Sequence, residues 1–223
     1  MRLIEHFFSL LAPHDCINCG QEGALLCSDC TVKKLEPVPG RCYRCFRQSL
    51  NCSTCPVCRH YSVLKHVWVR TQYNETAKQL VHELKFSFAK DAAHKIAKEI
   101  QTTLPLLAPD TIIVHIPAAT THVRQRGFDQ SALIARELSY LTSLPHIHAL
   151  NRLGQQRQVG ASAKTRQQQM KNAFRAVSNH AIEGMQVLLV DDVLTTGSTL
   201  EAAALTLRRA GAKSVSAVVF AQA

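Results

Sequence analysis

The sequence predicts an α/β domain, a parallel sheet flanked by helices, behind a small cysteine-rich module. Three observations predict it. All nine cysteines of this 223-residue chain fall before residue 59. Composition changes near residue 60, from Cys-, Pro- and Gly-rich sequence without periodicity to ordinary helix and strand patterning. Near the other end, the wholly apolar run Val187-Leu188-Leu189-Val190 is followed by a helical stripe and then a second strand-like run. That is the order of a right-handed βαβ unit. The break divides the chain into residues 1–60, the cysteine-rich module, and residues 61–223, the α/β domain. Apolar residues make up 46% and charged residues 19%, which allows a proper core and excludes a disordered chain.

Taken in order, residues 7–12 read as a short amphipathic helix. They are too few for a bilayer span of about 20 residues, and Pro13-His14-Asp15 before Cys16 is not a small-residue cleavage site. No export signal and an odd cysteine count point to a reducing cytoplasm, no membrane insertion and metal-bound thiolates rather than disulfides. In the second region, residues 76–86 carry a helical stripe, Ala77, Leu80, Val81 and Leu84. Asp91 is the expected cap of a second helix with Ile96, Ala97 and Ile100 inward. Pro105 and Pro109 break the chain, and residues 111–116 form a β-branched strand ended by Pro117. Residues 129–141 are helical, with Leu133, Ile134 and Leu138 inward, whereas 150–175 read as a long loop with some helix. A strand at 187–190, a helix over 198–210 stopped by Gly211, and a strand at 215–220 complete the domain.

The cysteines come as Cys16-x-x-Cys19, Cys27-x-x-Cys30 and Cys42-x-x-Cys45, followed by Cys52, Cys55 and Cys58. A Cys-x-x-Cys turn sets two thiolates on one side of a knuckle, and two knuckles complete a tetrahedral Zn2+ site. One or two structural Zn2+ ions in a zinc-ribbon-like module follow. Spacing leaves open which pairs combine, and both Cys52/Cys55 and Cys55/Cys58 fit the last pair.

The segment Asp191-Asp192-Val193-Leu194-Thr195-Thr196-Gly197-Ser198-Thr199 carries the chemistry of the α/β domain. A buried strand delivers two carboxylates to the sheet edge where open α/β folds place ligands. They suit ribose hydroxyls, or Mg2+ through its waters. Thr195, Thr196, Gly197, Ser198 and Thr199 then turn into a helix whose free N–H groups suit a phosphate. Aspartates that merely cap a helix, or a phosphoacceptor acid pair, would leave the Thr-Thr-Gly-x-Thr run unexplained. A P-loop is excluded because no Gly-Lys-Ser/Thr follows.

This segment resembles the 5-phosphoribosyl-1-diphosphate (PRPP) motif of type I phosphoribosyltransferases. Further along the chain, Arg124-Gln125-Arg126-Gly127-Phe128-Asp129-Gln130 resembles the Arg-Gly-Phe-Asn-Gln segment of the ComF/GntX family, with Asp129 where Asn is usual. Lys85-Phe86, Gln158-Val159-Gly160, Arg166 and Asn172-Ala173-Phe174 match other positions of that family, as do the cysteine pairs. The resemblance implies a type I phosphoribosyltransferase-like sheet that binds PRPP with Mg2+. Asp191 and Asp192 would be the catalytic carboxylates, and Arg124, Arg126 and Lys85 would sit at the diphosphate. It also favours Cys55 and Cys58 as the last ligand pair, leaving Cys52 spare.

The net charge is +10, which favours anionic partners. Between residues 138 and 182 there is no acid, only Arg152, Arg157, Lys164, Arg166, Lys171 and Arg175 among the charged residues. Such a stretch suits a diphosphate or the backbone of single-stranded nucleic acid. The family resemblance implies a competence protein that handles single-stranded DNA in natural transformation, alongside the competence machinery. The competing expectation is a metabolic phosphoribosyltransferase that transfers ribose 5-phosphate to a small nucleophile. Glutamine-dependent amidophosphoribosyltransferase activity is not expected, because Met1-Arg2 offers no cysteine next to Met1.

Overall fold

The computed structural model describes residues 15–86, 89–153, 173–177 and 180–223. The expected helix over residues 7–12 lies outside them, as do Arg157, Gln158-Val159-Gly160, Lys164, Arg166, Lys171 and Asn172.

Four strands form one all-parallel sheet: β1 (Leu64–Gln72), β2 (Thr111–His115), β5 (Gln186–Leu194) and β6 (Ser214–Gln222), in the order β1-β6-β5-β2. Apolar runs on β2 and β5 fill both faces, as a sheet covered on both sides requires. Helices α3 (Glu75–Lys85), α4 (Ala89–Gln101) and α6 (Gln130–Thr142) pack on one face through Leu80, Leu84, Ile96, Ile100, Ile134 and Leu138. Helix α7 (Ser198–Arg209) covers the other through Leu200, Ala203, Ala204 and Leu207. The unit β5-α7-β6 is the βαβ crossover expected from the sequence.

Three elements differ from the sequence reading. Strand β1 was not legible, because Lys65, His66 and Arg70 interrupt its apolar run. Arg70 is nonetheless buried, its guanidinium 2.9 Å from Glu99 of α4, with a further bond of 2.7 Å to the Leu35 carbonyl. Helix α4 begins at Ala89, so Asp91 sits inside its first turn instead of capping it. Residues 150–175 are not wholly loop. Their ends form β3 (Leu150–Arg152) and β4 (Phe174–Ala176), a short antiparallel pair whose Leu150 and Phe174 join the α7-side core.

The cysteine-rich region adds α1 (Ser28–Lys34), a 3-10 turn at Leu50–Cys52 and α2 (Pro56–Arg59). It packs directly on the sheet domain. Leu25, Leu26 and Leu35 join the core beneath α3 and α4, while Tyr43 joins the core beneath α7.

Candidate functional site

The β2–β5 register ends at His115↔Val190, whereas β5–β6 pairing runs on to Leu194↔Gln222. Pro117 takes the chain away after β2. Asp191 and Asp192 therefore lie on a strand that has lost one neighbour, at the C-terminal edge of the sheet. The short helix α5 (Thr120–Arg126) follows β2, and α6 packs against β5, bringing Ser131 to Asp191.

Ser131 of α6 donates to Asp191 Oδ1 at 2.9 Å, and the Asp192 amide donates to the same oxygen at 3.0 Å. Burial, with the neighbouring Asp192 charge adding to it, pushes the Asp191 carboxyl up to about 8. Asp192 accepts from the Val193 amide at 2.7 Å and lies 3.6 Å from Lys85 Nζ at the end of α3. Asp129 uses both oxygens. Oδ1 caps α6 at the Ala132 amide and Oδ2 holds the Ala118 amide at 2.7 Å. An Asn at that position has one carbonyl oxygen for two donors.

After β5 the chain turns through residues 195–197 into α7. Gly197 is left-handed (φ 76°) and no side chain caps the helix. The Ser198 amide donates to Thr196 Oγ1 at 3.4 Å, and the next N–H groups of the first turn have no intrahelical acceptor. Thr195, Thr196 and Ser198 are exposed, with Thr196 Oγ1 and Ser198 Oγ 2.9 Å apart. Sequence-named residues Asp191, Asp192, Lys85 and 195–199 thus meet at one sheet edge. Arg126 joins them, its guanidinium 5.5 Å over the Phe86 ring and its Nε buried without a partner among the described residues. Arg124 is exposed on α5 and makes no ion pair or side-chain hydrogen bond among the described residues. The sequence reading missed Ser131, which carries no motif signal.

The cysteines form two clusters, Cys16/Cys19/Cys27/Cys30 and Cys42/Cys45/Cys55/Cys58, with all sulfurs of a cluster within 4.8 Å. Consecutive pairs join, and Cys52 stands outside both. A tetrahedron with Zn–S bonds of about 2.3 Å has S···S edges of about 3.8 Å. The Cys19–Cys27 and Cys45–Cys55 separations are 3.8 and 3.6 Å, so each cluster fits a four-thiolate metal site. Against the effect of burial, backbone amides bring Cys16 and Cys42 down to about 6. Asn18 Nδ2 donates to Cys30 Sγ at 3.2 Å, a polar support for a thiolate.

The phosphoribosyl transferase domain pattern matches residues 135–223. Competence protein F of Haemophilus influenzae is 37% identical over 123 residues, 53% of this chain and 52% of that protein. Competence protein ComFC of Bacillus subtilis is 30% identical over 141 residues, 62% of this chain and 56% of that protein. The chain thus matches about half the length of these two relatives. The DNA utilization protein YhgH of Escherichia coli (strain K12) is 31% identical over 201 residues, 79% of this chain and 87% of that protein. This chain belongs to the ComF family. The ComF fold is here an α/β, type I phosphoribosyltransferase-like parallel sheet with two four-cysteine clusters before it. Among the described residues of this ComF protein, no helix is long and apolar enough to cross a membrane.

Proposed function

We propose that this ComF protein binds PRPP with Mg2+ at the C-terminal sheet edge and handles single-stranded DNA in the cytoplasm during DNA uptake. The observation that carries the first half is the meeting of Asp191, Asp192 and Lys85 with the uncapped 195–199 turn. The turn suits the 5′-phosphate, with Thr195, Thr196, Ser198 and Thr199 supplying hydroxyls around Gly197. Ser131 on Asp191 and Lys85 on Asp192 hold the two carboxyl groups side by side, which matches two neighbouring ribose hydroxyls. Lys85 and Arg126 face the end where the diphosphate would lie, and Arg124 can swing to it from α5. Mg2+, when bound, would offset diphosphate charge, held through water by the same carboxylates. The two cysteine clusters suit one structural Zn2+ each, with four thiolates and no open position.

The basic run between residues 138 and 182 and the names of the relatives support single-stranded DNA as the second ligand. Arg152 is well placed for this, its guanidinium over Phe174 and bonded to the Pro117 carbonyl on the rim of the site. The phosphoribosyl transferase pattern favours a second reading, transfer of ribose 5-phosphate from PRPP to a small nucleophile.

Calorimetric titration with PRPP-Mg2+, then with a labelled oligonucleotide at several salt concentrations, separates these readings. Asp191→Ala and Asp192→Ala should each weaken PRPP by about 1.5–3 kcal/mol. Neutralising Arg152, Arg157 and Lys164 should flatten the salt dependence of DNA binding by up to about one unit per lost phosphate contact. Unchanged PRPP binding in both aspartate variants would overturn the ribose assignment. Diphosphate release on adding a small amine or base, with no DNA binding at low salt, would favour the transferase.

A further inference from the structure

The second cysteine cluster does more than close a loop: its knuckle presses on the 195–197 turn. In Cys42-Tyr43-Arg44-Cys45 the Tyr43 side chain is only 4% exposed and lies against Gly197. A Cβ at position 197 would come within 2.8 Å of Tyr43 Cε2. Glycine is therefore required there twice over, by the left-handed φ of 76° and by the tyrosine ring.

The same knuckle grips α7 one helical turn further on. Tyr43 Oη donates to Glu201 Oε1 and shares a 2.9 Å hydrogen bond with Ser62. Arg44 Nη1 lies 3.0 Å from Glu201 Oε1, and the Val63 amide donates to Glu201 Oε2 at 3.3 Å. Arg44 also holds the Tyr61 carbonyl at 3.1 Å. Contacts from residues 43–44, between Cys42 and Cys45, and from 61–63, after Cys58, thus converge on a single carboxylate in the first turn of α7. That carboxylate sits beside the place proposed for a phosphate, and Arg44 is the cation that offsets it. Losing the knuckle would free Gly197 and expose Glu201 to the anion, two effects of the same sign.

We infer that Tyr43 and Arg44 are positioning residues for the 195–199 turn, and that metal held by Cys42, Cys45, Cys55 and Cys58 sets the turn's affinity for ligand. The ligand half of this inference rests on the PRPP reading; the contact between knuckle and turn does not. The knuckle has little apolar core of its own, so its shape depends on thiolate bonds to a metal. Coupling of this kind is reciprocal: ligand on the turn must hold metal in the second cluster as strongly as metal favours ligand. The first cluster meets α3 instead, through Asn18 with Thr76 and through Asn74 with the Lys34 carbonyl, so it should be indifferent.

The test uses the full metal-loaded chain and the variants Tyr43→Ala, Tyr43→Phe and Arg44→Gln. Hydrogen exchange of amides 195–201 is measured without ligand, alongside metal content. Tyr43→Ala should keep its metal yet exchange there about tenfold faster, whereas Tyr43→Phe, which keeps the ring, should change about threefold. PRPP-Mg2+ affinity should fall in the same order, by about tenfold for Tyr43→Ala and by about threefold for Arg44→Gln. PRPP should also slow the release of one Zn2+ to a chromogenic chelator in the parent but of neither in Tyr43→Ala. Should Tyr43→Ala fold poorly, Tyr43→Phe and Arg44→Gln carry the same comparison. Unaltered exchange at 195–201 in every folded variant overturns the coupling. Altered exchange in a protein that binds no PRPP upholds the contact and overturns the PRPP reading instead.

Discussion

The two cysteine clusters share a ligand set and nearly share a backbone. The Cys16 amide bonds to the Gln21 carbonyl and the Gly20 amide to the Cys16 carbonyl. In the second, the Cys42 amide bonds to the Arg47 carbonyl and the Phe46 amide to the Cys42 carbonyl. Gly20 and Phe46 occupy the same left-handed position, φ 73° and 60°. What differs is the surface each knuckle meets. The first lies beneath α3 and α4, where Arg70 holds the end of its helix; the second lies on the turn into α7. The same four-cysteine geometry therefore meets the α3 side of the sheet at one place and the turn into α7 at the other.

The largest effect should come from breaking each cluster in turn. Cys16→Ser and Cys42→Ser should each lower zinc content from about two ions to about one, because a closed site needs all four thiolates. Cys16→Ser should lower the melting temperature, while Cys42→Ser should abolish PRPP binding as well. Cys52→Ser, outside both clusters, should leave metal content and affinity as they are. Metal analysis with calorimetry decides this, and equal loss of PRPP binding in the two cluster variants would remove the distinction.

A smaller effect should come from the anchor of the first cluster. Arg70→Met leaves Glu99 buried beside Lys95 alone and frees the Leu35 carbonyl. Denaturant unfolding should report a loss of about 3–5 kcal/mol. PRPP affinity of the remaining folded protein should hold, since the 195–199 turn is untouched.

A further effect concerns pH, and it belongs to the Asp191–Asp192 edge. The Asp191 carboxyl is raised from 3.8 to about 8, so between those values the folded state binds a proton that the unfolded state has released. Its contribution is fully present below pH 3.8, falls as pH rises, and is lost by about pH 8. Asp191→Asn should flatten that part of the stability–pH curve in ligand-free protein. An unaltered curve would mean that Asp191 ionises normally.

What could be read from the sequence was what physics writes locally. The run 187–190, the Thr-Thr-Gly turn and the stripe of α7 each sit within a few residues, and the structure contains them all. Strand β1 was hidden because a strand pattern assumes charged residues face water. Arg70 instead finds Glu99, a partner on another element. The pairing of cysteines was hidden for the same reason, since four Cys-x-x-Cys pairs are chemically equivalent until the chain is folded. Nothing in the sequence links Tyr43 to Gly197 and Glu201, because their contact exists only once the knuckle docks on α7. Asp91 failed as a cap because several residues near a helix start can serve, and propensity does not choose among them.

The pair β3–β4 sets Leu150 opposite Ala176 and Arg152 opposite Phe174, so residues 152 and 174 are held side by side. A segment closed at such a neck can gain or lose residues cheaply, because each doubling of its length costs only about 0.6 kcal/mol in closure entropy. The β3–β4 pairing thus lets the length between Arg152 and Phe174 change at little cost to the core beneath α7.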